Sequence, residues 1–182
     1  MVILHQENRN PLHIPANHPD LKPRDYIFAL WKTEKMMQSE MTNKQILTRG
    51  LRNNNPLNIE KGNNWQGEQQ PQSDRRFEEF ISLEYGLRAG FIILKKYIAR
   101  PPRGYGQDTI ARIISKWAPH TENATENYIN FVSAKTGIPK SERLRWEDKS
   151  KLCAIVRAMA IMESGTEIPM GRIETAYELA KR

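Results

Sequence analysis

Cysteine occurs once in the 182 residues, at Cys153, so no internal disulfide can form. It sits in an apolar helical pattern, which predicts an inert buried thiol. Long apolar runs are missing, and with them any candidate membrane span. The N-terminus lacks the charged-then-apolar pattern of a signal peptide. The expectation is a protein made in the cytoplasm, delivered by something else if it acts outside. Net charge is +7, yet no run of five or six Lys or Arg occurs. That argues against a dedicated nucleic-acid site. Attraction to an acidic polymer and simple solubility both remain open as reasons for the charge.

Ligand patterns are absent too. No glycine-rich phosphate loop and no Cys–His pair is present, and His5, His13 and His18 show no ligand-pair spacing. His120 has no Ser or Cys partner at a recognisable spacing. Neither a metal nor an organic cofactor is expected, and triad chemistry is disfavoured.

What the chain does have is organisation. Pro11, Pro15, Pro19 and Pro23 forbid helix and predict an extended arm over residues 1–23. Residues 24–182 suit a single domain. A first helix is expected from Arg24 to Glu40, with Tyr26, Leu30, Met37 and Met41 on one side. Helices are predicted over 83–99 (Leu87, Phe91, Leu94, Ile98) and 109–117 (Ile110, Ile113, Ile114, Trp117). Asp108 is the expected N-cap of the latter. Further helices follow over 124–136, ending at Gly137, and over 147–163 (Leu152, Ile155, Val156, Met159, Met162), ending at Gly165. Thr121 or Asn123 is the expected cap of the 124–136 helix. The last helix spans about 170–181. Between residues 49 and 82, crowded Asn, Gly and Pro indicate turns, with a short strand or hairpin around Phe77, Phe80 and Ile81.

Carboxylate chemistry and amide-rich recognition are what these residues leave available. Glu163 ends an apolar helix just before Ser164 and Gly165, at the negative end of the helix dipole. There it is either an acid raised by its surroundings or a solvated residue before a C-cap. Asn55 and Asn58 either hydrogen-bond a sugar or hold turns, and Trp65 could cover a sugar face. Asn53 and Asn54 read as structural. Tyr128 points from a first helical turn into core or cleft, near Glu122 and Glu126. Trp117 reads as core.

Several blocks in order carry a family resemblance: Arg49 to Ile59, then Trp65-Gln66-Gly67, Asp74, Phe77, Phe80, Tyr85 to Ala89, Trp117-Ala118-Pro119, Glu122 to Thr125, and Tyr128. Over 49–165 the chain resembles a group of phage and prophage proteins, often described as virion structural or lysozyme-like. Leu57 departs from the Gly usual there. A looser similarity is to the glucosaminidases and lytic transglycosylases of the lysozyme superfamily. These carry an Asn-Leu-Phe-Gly-Ile-type segment, a late active-site Tyr, and a catalytic Glu before the Asn segment, typically as Glu-Ser-Gly. Here Glu34 and Glu40 precede that segment without Ser-Gly, whereas Glu163-Ser164-Gly165 has the signature at the other end. A circular permutation accommodates both facts.

The resemblance therefore implies a mainly α, lysozyme-like fold with an Asn-rich loop or short hairpin beside a cleft. It implies cleavage of peptidoglycan glycan strands, by hydrolysis or transglycosylation. Glu163 and Tyr128 are the expected catalytic residues, with Glu40 and Glu34 as fallbacks. Asn55, Asn58, Trp65 and Glu122 are the expected substrate-binding set. Expected partners are peptidoglycan and other virion proteins, at the bacterial cell wall or in a virion. The alternative is a non-catalytic virion or wall-binding protein that keeps the fold.

Overall fold

The computed structural model describes residues 32–37, 47–99, 106–119 and 122–182. The chain divides into two units, Met1–Gln45 and Ile46–Arg182. In the first unit residues 32–37 are helical. Met36 and Met37 are exposed there, so these two side chains add nothing to a core. The arm over 1–23, and Tyr26, Leu30, Glu40 and Met41, lie outside the described residues.

The second unit is mainly helical: α1 (Arg49–Arg52), α2 (Leu83–Ile98), α3 (Ile110–Trp117), α4 (Glu122–Thr136), α5 (Lys149–Ser164) and α6 (Met170–Lys181). The periodicity explains which faces are buried. Leu87, Phe91, Leu94 and Ile98 of α2 face the core, as do Ile110, Ile113 and Ile114 of α3. α6 lies along α2. Tyr177 of α6 meets Phe91 edge-on at 5.4 Å and stacks on Trp146 at 4.9 Å. Its hydroxyl donates to the Trp146 carbonyl at 2.6 Å. The polar tip of a buried Tyr is thereby satisfied.

α5 is the central helix, packed against α4 and α6 and touching α1 and α2. Leu152, Cys153, Ile155, Val156, Ala158, Met159 and Ala160 are all buried. Burial pushes the Cys153 thiol up to about 11, so it stays a thiol. Met162 does not follow its spacing and is 40 % exposed. At its last turn α5 emerges from the core, which brings Glu163 to a surface. Gly165 then closes the helix in the left-handed region at φ 69°, its N–H donating to the Ile161 carbonyl.

One cap differs from expectation. Thr109, not Asp108, caps α3, its hydroxyl accepting from the Arg112 N–H. Asp108 is drawn instead to two cations, Arg112 at 3.0 Å and Arg143 at 2.9 Å. Thr121 and the Asn123 side chain, the expected caps of α4, lie outside the described residues.

Residues 53–82 form no strand among the described residues. The expected hairpin reduces to two isolated antiparallel bridges, Glu60 with Phe77 and Glu68 with Phe80. Backbone bonds such as Lys61 N–H to the Arg76 carbonyl and Gln69 N–H to the Glu79 carbonyl make these bridges, and side chains satisfy much of the backbone between them. Asn54 Nδ2 donates to the Phe80 carbonyl, and Asn53 Nδ2 to Asp74. The buried Glu79 carboxylate accepts from the Ser73 and Asp74 backbones and the Ser73 hydroxyl. Asp74 also accepts two bonds from Arg49 and the N–H groups of Arg76 and Phe77.

These ion pairs set a pH dependence. The Arg49 guanidinium holds the Asp74 carboxyl well below the usual carboxylate range, and Arg172 holds Glu84 at about 2. Both carboxyls are depressed in the fold, so their contribution is full above the unfolded value of about 4. It is lost as pH falls through the folded values. Melts from pH 6 to pH 2 should show Tm falling mainly below pH 4, and Glu84→Gln should flatten that fall. A second prediction concerns Leu57, which is buried against Gly90: a Cβ on Gly90 would lie 2.1 Å from Leu57 Cδ1. Gly90→Ala should cost about 1–3 kcal/mol by overpacking. In a Leu57→Ala background, itself about 2–5 kcal/mol less stable, it should cost nearly nothing. Chemical denaturation of the four proteins in this double-mutant cycle measures the coupling.

Candidate active site

The site begins with a turn. Asn55 is fully buried, and its side chain closes residues 55–59. Its Oδ1 accepts from the Ile59 N–H at 2.9 Å, and its Nδ2 donates to the carbonyls of Ile59 and Glu78. Asn58 follows in the left-handed region at φ 50°, a conformation Asn tolerates better than most residues. From there its Nδ2 reaches the last turn of α5. It donates to the Glu163 carbonyl at 3.0 Å and to Glu163 Oε2 at 3.2 Å.

Two further donors meet the same carboxyl. Trp117, the last residue of α3, donates from Nε1 to Glu163 Oε1 at 3.2 Å. Tyr128, in α4, donates from its hydroxyl to Oε1 at 3.1 Å. Burial, and then the neighbouring Glu163 charge, hold the Tyr128 phenol far above its ordinary range. In this arrangement the phenol stays protonated and donates to Glu163.

Beside this cluster opens a cavity of about 540 Å³, within the range of small-ligand sites. Glu163, Asn58 and Trp117 line it, with the aromatic rings of Trp65, Phe77 and Tyr97. Glu60, the other carboxylate of its lining, is engaged by Arg76 through Nε and Nη2. A second cavity, of about 610 Å³, is lined by residues that include Asp108, Arg143, Arg145 and Asp148. These pair with one another. Among the described residues no group of His, Cys, Asp and Glu is arranged to hold a metal ion. No helix among them is long and apolar enough to cross a membrane.

The structure therefore brings Glu163, Tyr128, Asn58 and Trp65 to one place. It does not bring Asn55 there, because both ends of that buried amide are used by the backbone of Ile59 and Glu78. Glu34 lies on the helical segment of the first unit and is exposed. Glu40, His120 and the Glu122 side chain lie outside the described residues. Trp117 packs against the core, as its spacing predicted, and has a second role that spacing does not show. It is half-buried and turns its indole N–H to the carboxyl. Its place at the very end of α3, before Ala118-Pro119, was the available signal. Tyr97 lies off the apolar stripe of α2 and gave none.

A mainly helical protein with a glutamate set in the wall of an aromatic-lined groove is the class that fold and site define. The chain is 48 % identical over 122 residues to Protein P5 of Pseudoalteromonas phage PM2. The match covers 65 % of this chain and 72 % of that protein. The chain belongs to the family of that phage protein. No family model matches it.

Removing one donor from a partly buried carboxylate should register in stability. Tyr128→Phe should cost about 1–2 kcal/mol, read as a shifted denaturant midpoint at unchanged slope.

Proposed function

We propose that the protein cleaves the glycan strands of peptidoglycan, with Glu163 as general acid. The observation that carries this reading is the carboxyl itself. It lines an aromatic groove and is held from three separate elements. A carboxylate offers about four acceptor positions, two on each oxygen. Trp117 and Tyr128 occupy Oε1, and Asn58 takes one position on Oε2. One position on Oε2 is left for a proton to be passed to a glycosidic oxygen. The bond from that oxygen to the anomeric carbon then breaks. Water or a hydroxyl of the sugar itself captures the cation, directly or after transient ring closure by the acetamido oxygen that water then opens, and the attacking O–H returns a proton to Glu163.

Glu60 is exposed and paired with Arg76, so Glu163 is the one carboxyl of the groove lining held by donors from the fold, which favours single-carboxyl chemistry: lytic transglycosylation or substrate assistance. The rings of Trp65, Phe77 and Tyr97 suit the apolar faces of sugars. A net charge of +7 favours approach to an acidic wall. A phage relative fits the reading, since a phage must breach its host's wall.

The test is turbidity clearance of purified peptidoglycan by the wild type and by Glu163→Gln, with circular dichroism to verify folding of both. Loss of a general acid lowers rates by about 10²–10⁴-fold. Clearance by wild type that disappears in the folded variant is the expected result. Equal clearance by both would remove Glu163 from the mechanism. Wall binding without clearance by either would make the protein a wall-binding or virion component of the same fold.

A further inference from the structure

We propose that Asn58 is a positioning residue: it fixes the Glu163 carboxyl in the orientation from which the proton leaves, and does not itself hold the glycan. The inference rests on Glu163 being the acid of the reaction proposed above. Its basis is that one amide nitrogen bridges two atoms of the same residue, the Glu163 carbonyl oxygen at 3.0 Å and Oε2 at 3.2 Å. A donor shared between backbone and side chain of one glutamate restricts the side-chain torsions between them. The Asn58 Nδ2 protons are thereby committed, and a sugar would have to displace them.

The other end of the amide is constrained as well. A Cβ on Gly50 would lie 2.9 Å from Asn58 Oδ1 and 2.8 Å from the Asn55 carbonyl oxygen. The missing side chain at Gly50 is what lets Oδ1 settle against α1 while Nδ2 faces α5. The backbone of Asn58 is held at φ 50° to make this reach. Such conformations persist where the surroundings over-determine them, and they gather at functional sites. Asn54 shares this conformation at φ 51° and serves the turn, so what distinguishes Asn58 is where its amide arrives.

Asn58→Gly tests this, because glycine accepts the left-handed backbone freely and removes only the amide. Two readouts apply to the full chain. The first is the Trp117 indole Nε1–H resonance, which shares the Glu163 carboxyl. If Asn58 positions that carboxyl, Asn58→Gly should shift this resonance and speed its hydrogen exchange, with Tm changed by only a few degrees. The second is peptidoglycan clearance. A positioning role predicts that kcat falls by about 10–100-fold with the apparent KM unchanged. Asn58→Asp, which sets a carboxylate against Glu163, should give at least the same loss.

An unaltered Trp117 resonance would overturn the proposal whatever the kinetics. So would a raised apparent KM at unchanged kcat, which is the mark of a direct glycan ligand. If the wild type does not clear peptidoglycan, the reading of function fails. The indole measurement then still decides whether Asn58 orients the carboxyl.

Discussion

A carboxyl at the C-terminal end of a buried helix is an electrostatic liability. The last carbonyls of the helix lack intrahelical partners and carry partial negative charge. Glu163 adds to that charge at the end of α5. The fold around it is largely a means of supplying donors. Gly165 N–H and the Ser164 hydroxyl satisfy the carbonyls of Ile161 and Ala160. Asn58 meets the Glu163 carbonyl, and with Trp117 and Tyr128 it meets the carboxyl. Each donor arrives only if its own element is docked. α3 must end at Trp117, α4 must bring Tyr128 inward, and the turn over residues 55–59 must close.

That turn is held by a second polar layer. Asn53, Asn54 and Asn55 each send their amide across to residues 59–80. Asp74 and Glu79 collect the N–H groups of the returning strand-like segment. The whole arrangement is pressed onto α2 at Gly86, where a Cβ would sit 1.9 Å from the Asn54 carbonyl oxygen. Backbone pairing here is confined to single bridges, such as Glu78 N–H to the Ile59 carbonyl and Ile81 N–H to the Gly67 carbonyl, and side chains satisfy many of the groups between them. Core helix, polar turn and groove are therefore one network.

The helices were legible because burial here follows simple periodicity. The expected stripes of α2 and α3 are buried, with Trp117 half-buried at the end of α3, and glycines at positive φ close α4 and α5 as expected. The deviations arise where a side chain answers to a distant partner. Asp108 left its cap for Arg143, 35 residues on. Met162 looked apolar by spacing but lies where α5 leaves the core. The asparagines were harder still. An amide serves backbone or ligand equally well, so composition marked the segment as polar-turn territory without separating the buried Asn55 from Asn58 at the groove. The second role of Trp117 was hidden for a related reason: its ring obeys the helical stripe while its N–H serves a residue 46 positions away.

The span between Asn58 and Glu163 is 105 residues. A ribosome adding 5–20 residues per second needs roughly 5–20 s to cross it. Throughout that interval the turn has no helix to bind, and Trp117 and Tyr128 have no carboxyl to meet. The groove therefore cannot be complete before α5 has been made. Whatever it does is withheld until translation has passed the end of α5, a delay written into the order of the residues and needing no inhibitor to enforce it.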